Sequence, residues 1–354
     1  MLTKLLAAVL VSTALIAPTP ATAAPAAPVL KDQVRGLVDR TGPARKAFAD
    51  VVDAFVIRVP WATIQPTAGG PLELGEITKV LDSSEATGKA IRLRVTAGVE
   101  APQWAKELDG PELPWFSDGV QVGTIGAFWS DNFGAAYADL QSKLQLAYDG
   151  NARIREVVVA RCTTEFVEPY VRQAESLAQN AASLTRGGYT LERDKRCHRE
   201  EIDAHQVWHQ TRSYLAFNPY QALDRDTDGN WFSDVDPVFT NNMITYCRTS
   251  LGSACVLANN SLDPDRPQRY LDMYQHMSDA GAPIAFQTAT APKVCNNEDP
   301  CPDQKWNATL DLALTYGANS VELPDGRTGY TSWSFPGKPG FKGLNYYDTE
   351  LTRR

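Results

Sequence analysis

Short runs of aliphatic and β-branched residues recur along this chain, separated by longer segments of helical character, and that alternation is its strongest constraint on fold. A parallel strand cannot join its neighbour by a tight turn, so strand, crossover helix and strand must follow at roughly 40 residues per unit. The runs at 54–59, 90–96, 154–159, 214–217, 254–258, 283–288 and 320–323 read as strands, with one more, of no clear period, between Trp115 and Phe128. Tyr137, Leu140, Leu144 and Ala147 recur at helical spacing before Gly150, and further helices are expected at 236–250, 267–280 and 308–316. Val157, Val158 and Val159 look like a strand buried on both faces. The pattern predicts the α/β class and a single (β/α)8, or TIM, barrel over 24–354. An open doubly wound sheet is the alternative, but no glycine fingerprint follows the first run.

The first 23 residues read as an export signal, with Lys4 as the positive region, an apolar stretch at 5–17 and a small-residue cleavage site at Ala21-Thr22-Ala23. A membrane anchor is the alternative, but the apolar stretch is shorter than the ~20 residues of a span. A secreted chain beginning near Ala24, with no membrane span, is therefore expected. Loss of Lys4 takes the formal charge from −8 to −9, and no basic cluster suggests a nucleic-acid partner. Six cysteines in an exported chain favour disulfides, and close sequence neighbours are the simplest pairing: Cys247 with Cys255, Cys295 with Cys301, and Cys162 with Cys197 as the long-range pair.

Chemistry gathers after the 154–159 run, where Glu165 and Glu168 are presented before Pro169, at what would be the C-terminal mouth of the fourth strand. The segment Val59-Pro60-Trp61-Ala62-Thr63-Ile64-Gln65-Pro66, then Gly69, Arg92-Leu93-Arg94-Val95, Pro102-Gln103-Trp104-Ala105, Phe128-Trp129 and Glu168-Pro169, resembles retaining (β/α)8 glycoside hydrolases of the β-galactosidase type. The resemblance implies a carbohydrate substrate, a general acid/base glutamate after the fourth strand and a nucleophilic glutamate ending the seventh. This chain departs from the pattern with Val167 before Glu168, and with Gln287 where the nucleophile would stand. The nearest replacement is Glu322 on the eighth strand, so Glu168, Glu322 and Glu165 are the candidate catalytic carboxylates. The alternative is a carbohydrate-binding barrel that has lost its nucleophile.

Other residues at the expected strand ends are Arg58, Arg94, Asn218, Asn259 and Gln287, candidates for sugar hydroxyls, and Trp61, Trp104, Trp129 and Trp333 are candidate stacking platforms. Core packing accounts for any one tryptophan equally well. Glu322 also reads as an ion-pair partner of Arg58 or Arg94 inside the barrel, and Glu165 and Glu168 as partners of Arg161 or Arg172. His198, His205 and His209 lie in one helical region without a third metal ligand and are expected on a solvated face. Asp224, Asp226, Asp228 and Gly229 form the first half of a calcium loop, with Asp234 or Asp236 to close the shell because Val235 stands at the twelfth position. A structural Ca2+ is thus expected there, or else a solvated acidic loop with Asp236 capping the next helix. No cofactor is expected for the chemistry.

Overall fold

The computed structural model describes residues 29–168, 171, 178–298, 301–324 and 342–354. The expected export signal lies outside the described residues, as do Pro169, Arg172 and Trp333. In chain order the strands are β1 (Gly36–Asp39), β2 (Ala54–Pro60), β3 (Ala90–Thr96), β4 (Leu113–Ser117), β5 (Val120–Ile125), β6 (Ile154–Val158), β7 (Arg212–Ala216), β8 (Gln221–Arg225), β9 (Trp231–Val235), β10 (Cys255–Leu262), β11 (Ile284–Thr288) and β12 (Ser320–Leu323). A closed barrel runs β1-β12-β11-β10-β7-β6-β3-β2, with every neighbour parallel. The chain is a single (β/α)8 barrel.

One barrel strand differs from the sequence expectation. The stretch between Trp115 and Phe128 belongs to an antiparallel hairpin, β4 with β5, outside the barrel. Asp118 and Gly119 turn it with φ of 49° and 80°, the positive pair that a two-residue hairpin turn demands. The missing strand is β1, which precedes every run read from the sequence. Residues 54–59 and 90–96 therefore supply the second and third barrel strands, while the fourth to eighth keep their places.

Strand periodicity sorts side chains into the barrel interior and the belt beneath the helices. Val38, Ala54, Val56 and Ala90 fill one interior layer, and Val158, Tyr214, Ala216, Val256, Ala258 and Ala285 another. Residues of the other parity, such as Leu37, Leu215, Leu257, Phe286 and Val321, pack outward into a larger apolar cluster under the helices. Helix Asp131–Tyr148 starts where the Ser130 hydroxyl accepts the Phe133 N–H, and it buries Phe133, Tyr137, Leu140 and Leu144 on one face. Helix Pro237–Leu251 is capped by Asp236, whose carboxylate accepts the Phe239 N–H, with Pro237 in the first turn.

The disulfides join Cys162 to Cys197, Cys247 to Cys255 and Cys295 to Cys301, the neighbour pairing expected from their order. Among the described residues no helix is long and apolar enough to cross a membrane.

Candidate active site

A cleft of about 490 Å³ opens at the C-terminal mouth of the barrel. It is lined by Arg40 just past β1, Arg58 on β2, Arg94 and Thr96 on β3, Asn260 on β10 and Gln287 and Thr288 on β11. The loop after β6 adds Glu165, Phe166, Val167 and Glu168, and Lys293 stands at the rim. Arg58, Arg94, Asn260 and Gln287 share the interior parity of the layers below them, so the barrel aims them at a common centre.

Glu322 shares that parity but does not reach the cleft. It is fully buried, and its carboxylate is saturated. Oε2 accepts from Arg94 Nη2 at 2.7 Å and Arg92 Nη1 at 3.2 Å, while Oε1 accepts from Arg94 Nη1 at 3.2 Å and Arg40 Nε at 3.3 Å. Burial alone would raise its pKa, but Arg94, Arg40 and Arg92 together outweigh it and hold the carboxyl below its ordinary value. Arg92 also donates to Glu156 Oε2 at 2.7 Å and lies over the Tyr214 ring at 4.0 Å. Of the two roles read from the sequence, Glu322 fills that of the ion-pair partner, because several guanidiniums occupy every direction from which a substrate carbon would approach. Arg58 does not join it but pairs with Glu100 at 2.7 Å.

The loop carrying Glu165 and Glu168 is held from below. Glu201 Oε2 accepts the backbone N–H groups of Arg161 and Cys162 at 3.1 and 3.0 Å, and the disulfide from Cys162 reaches the same helix, Leu191–Asp203. The Arg161 side chain donates to Phe128 O, Ser130 O and Glu200. Gly98, at φ +59°, lets its chain pass so close that a Cβ there would sit 1.9 Å from Thr164 O. Gly98→Ala is therefore expected to cost about 1–3 kcal/mol and to shift Glu165 and Glu168 away from the cleft. Thermal melting and ligand binding on the variant check both, and wild-type affinity would show that the loop does not depend on this contact.

His198, on helix Leu191–Asp203, and His205, in the 3-10 turn that follows it, are buried rather than on a solvated face, while His209 is exposed as expected. His205 lies between Tyr137 Oη at 3.0 Å and Ser213 Oγ at 3.1 Å, and burial pushes its pKa down to about 3. His198 Nδ1 is 2.9 Å from Glu201 Oε1, and Nε2 is 3.7 Å from Asp194. Burial pulls the His198 pKa down, but Asp194 and then Glu201 outweigh it and raise it to about 10. A raised folded pKa stabilises fully below the unfolded value of about 6.5, and that stability is lost as pH climbs toward 10. His198→Gln should lower stability by roughly 3 kcal/mol at pH 6 and flatten the alkaline loss. Urea midpoints across that range would show it, and parallel pH profiles for variant and wild type would remove the charged role.

Several expected sugar contacts lie elsewhere. Trp61 and Trp129 are fully buried, their indole N–H groups donating to Gln65 Oε1 and Gly187 O, so they are core residues. Trp104 is half-buried edge-on against Trp61, with its N–H on Gln65 O, and does not line the cleft. Asn259 points outward beneath the helices, bonded to Phe217 O, Asn218 and Tyr274, and its neighbour Asn260 takes the interior position. Asn218 lines a separate small cavity with His198 and Tyr220. The residues missed by sequence reading are Arg40, Phe166, Asn260 and Lys293. Interior parity along β10 is the available signal for Asn260, and among the described residues the half-exposed Phe166 is the aromatic that lines the cleft.

The acidic loop is a β-hairpin, β8 with β9, rather than a calcium loop. Asp226 accepts from the Asp228 and Asn230 backbone N–H groups and from the Asn230 amide, so its carboxylate closes the turn. Asp224 and Asp234 lie on the two hairpin strands, and Asp236 caps a helix. Their carboxylates do not converge. Among the described residues the side chains close enough to share a metal are Cys162, His198 and Glu201, and that cysteine is spent in a disulfide. The donor set does not fit the expected Ca2+.

No protein-family model and no curated protein sequence matches this chain. Solved structures do. The catalytic domain of a β-amylase from Paenibacillus polymyxa superposes with a TM-score of 0.53 at 12% identity, over 83% of this chain and 92% of that one. A glycosylated endo-β-1,4-xylanase of glycoside hydrolase family 10 from Gloeophyllum trabeum gives 0.50 at 10% identity, over 82% and 83%. At such identity the likeness shows the fold alone. The comparisons agree with the architecture read from the sequence: this chain has the closed (β/α)8 barrel.

Proposed function

We propose that this chain is a secreted glycoside hydrolase that cleaves an oligosaccharide or polysaccharide at the mouth of its barrel, with Glu168 as general acid. The observation that carries the reading is the meeting, in one cleft, of Glu165 and Glu168 with polar side chains from β2, β3, β10, β11 and the residues just past β1. Glycoside hydrolysis needs one carboxyl to protonate the leaving oxygen and a second to attack the sugar or activate water. Glu165 supplies the second in this reading, while Glu322 positions Arg40 and Arg94 from beneath. Arg58, Arg94, Asn260 and Gln287 bind hydroxyls, and the carboxyl chemistry draws on no cofactor. The disulfides support export to an oxidising compartment.

A second reading, a barrel that binds glycans without cleaving them, is favoured by Gln287. Its amide stands at the end of β11, where the resemblance places a nucleophile, and donates to Asn260 O at 3.0 Å. Incubation with a broad oligosaccharide panel, scored for new reducing ends and in parallel for binding by calorimetry, separates the two. Turnover that a Glu165→Gln/Glu168→Gln double variant loses supports the hydrolase. Binding without turnover gives the second reading, and no binding at all sinks both.

A further inference from the structure

We infer that the mouth takes a sugar carrying an anionic group, a carboxylate or a sulfate ester, seated on Arg40 and Lys293 with Arg94 beneath. The inference rests on the reading of this cleft as a carbohydrate site and names its substrate class.

Among the described residues, the guanidiniums of Arg40, Arg92 and Arg94 share the carboxylates of Glu156 and Glu322 alone, which leaves positive charge in excess within that described network. Glu322 already accepts from all of them and has no further lone pair to offer. Arg92 lies deep and spends its donors on Glu156, Glu322 and Ser320. Arg40 and Arg94 instead line the cleft, and Arg94 Nε is buried with no hydrogen-bond partner. Lys293 is exposed at the rim, and among the described residues no carboxylate pairs with it. Arg58, by contrast, is already matched by Glu100.

Placement sets Arg40 and Lys293 opposite the acidic loop. β1 and β11 flank β12, which lies across the closed barrel from β6, so Arg40 and Lys293 face the wall that carries Glu165 and Glu168. A sugar spanning the cleft would set its scissile bond at the acidic wall and an anionic substituent on the basic one. A carboxylate or sulfate matches guanidinium geometry and supplies the missing counter-charge, which a neutral hydroxyl cannot do.

The test compares galactotriose, trigalacturonate and 6-O-sulfated galactotriose by calorimetry on the wild-type protein, with inorganic sulfate alongside. At least one anionic trisaccharide should bind about tenfold or more tightly than galactotriose, as a charge-assisted hydrogen bond predicts, and added salt should narrow the gap. Which of the two gains more identifies carboxylate or sulfate ester as the natural group. In Lys293→Gln, an exposed change that leaves the core untouched, and in Arg40→Gln, the anionic-to-neutral ratio should fall toward one. Equal affinity for all three trisaccharides overturns the inference, as does inorganic sulfate binding as tightly as the sulfated sugar. Failure of every trisaccharide to bind overturns it as well, and failure across the broad oligosaccharide panel removes the carbohydrate reading on which it rests.

Discussion

Glu168→Gln is expected to slow hydrolysis of a natural glycoside by about 10²- to 10⁴-fold, the usual contribution of a positioned general acid. An activated aryl glycoside should suffer far less, because a good leaving group departs without a proton. Glu165→Gln should fail on both substrates, since attack at the sugar, or activation of water, does not depend on the leaving group. Glu168 and Glu165 both stand in the cleft at partial exposure, so neither change opens a hole in the core and melting temperatures should stay close to wild type. The measurement is a plot of log kcat/KM against leaving-group pKa for wild type and variant. A steeper slope for Glu168→Gln is the signature of a lost acid. Equal losses across the whole series would take the general-acid role away from Glu168.

Glu322→Gln is expected to act on the fold first, at about 3–5 kcal/mol, the typical result of removing one partner from a buried ion pair. The amide keeps the volume but, among the described residues, leaves Arg40, Arg92 and Arg94 with Glu156 as their remaining carboxylate, Arg92 and the amide itself being fully buried. The pH dependence follows from the same contacts. Because the folded carboxyl titrates below its unfolded value, its stabilisation is present above the unfolded pKa and is lost as pH falls through the folded one. The variant should therefore be less stable at neutral pH and lose less on acidification than wild type. Urea unfolding at pH 7 and pH 3 reads both differences. A catalytic Glu322 with no structural role would leave the neutral midpoint unchanged while activity disappeared, and that outcome would return the residue to the reacting pair.

The strongest periodic features of the sequence were legible because they are local. The run before Glu165 is an interior strand, Tyr137, Leu140 and Leu144 face the core of one helix, and the cysteines pair with their sequence neighbours. The βα alternation follows from the reach of a parallel crossover, so the barrel could be read without knowing which strands touch. β1 could not. Its Gly36–Asp39 is too short to show a period, and it becomes a strand only by pairing with β12 and β2. The hairpin at 113–125 carries the same kinds of residue as a barrel strand, and only its Asp118-Gly119 turn tells it apart.

The site divides in the same way. Glu165, Glu168, Arg58, Arg94 and Gln287 were placed at the mouth because each lies at or past a strand end, a property of the sequence alone. Asn259 and its neighbour Asn260 differ in which side of the barrel wall they face, and that register is set by β7 and β11 on either side of β10. Trp61 and Trp129 have the composition of stacking platforms, but burial decides between platform and core, and burial depends on helices packed from elsewhere in the chain. Glu322 is the clearest instance. Its sequence position marks a carboxylate at the barrel's end, while its arginine partners come from just past β1 and from β3, more than 200 residues away. Only closure of the barrel brings those charges within 3.3 Å and turns a candidate nucleophile into the counter-ion of the site's floor.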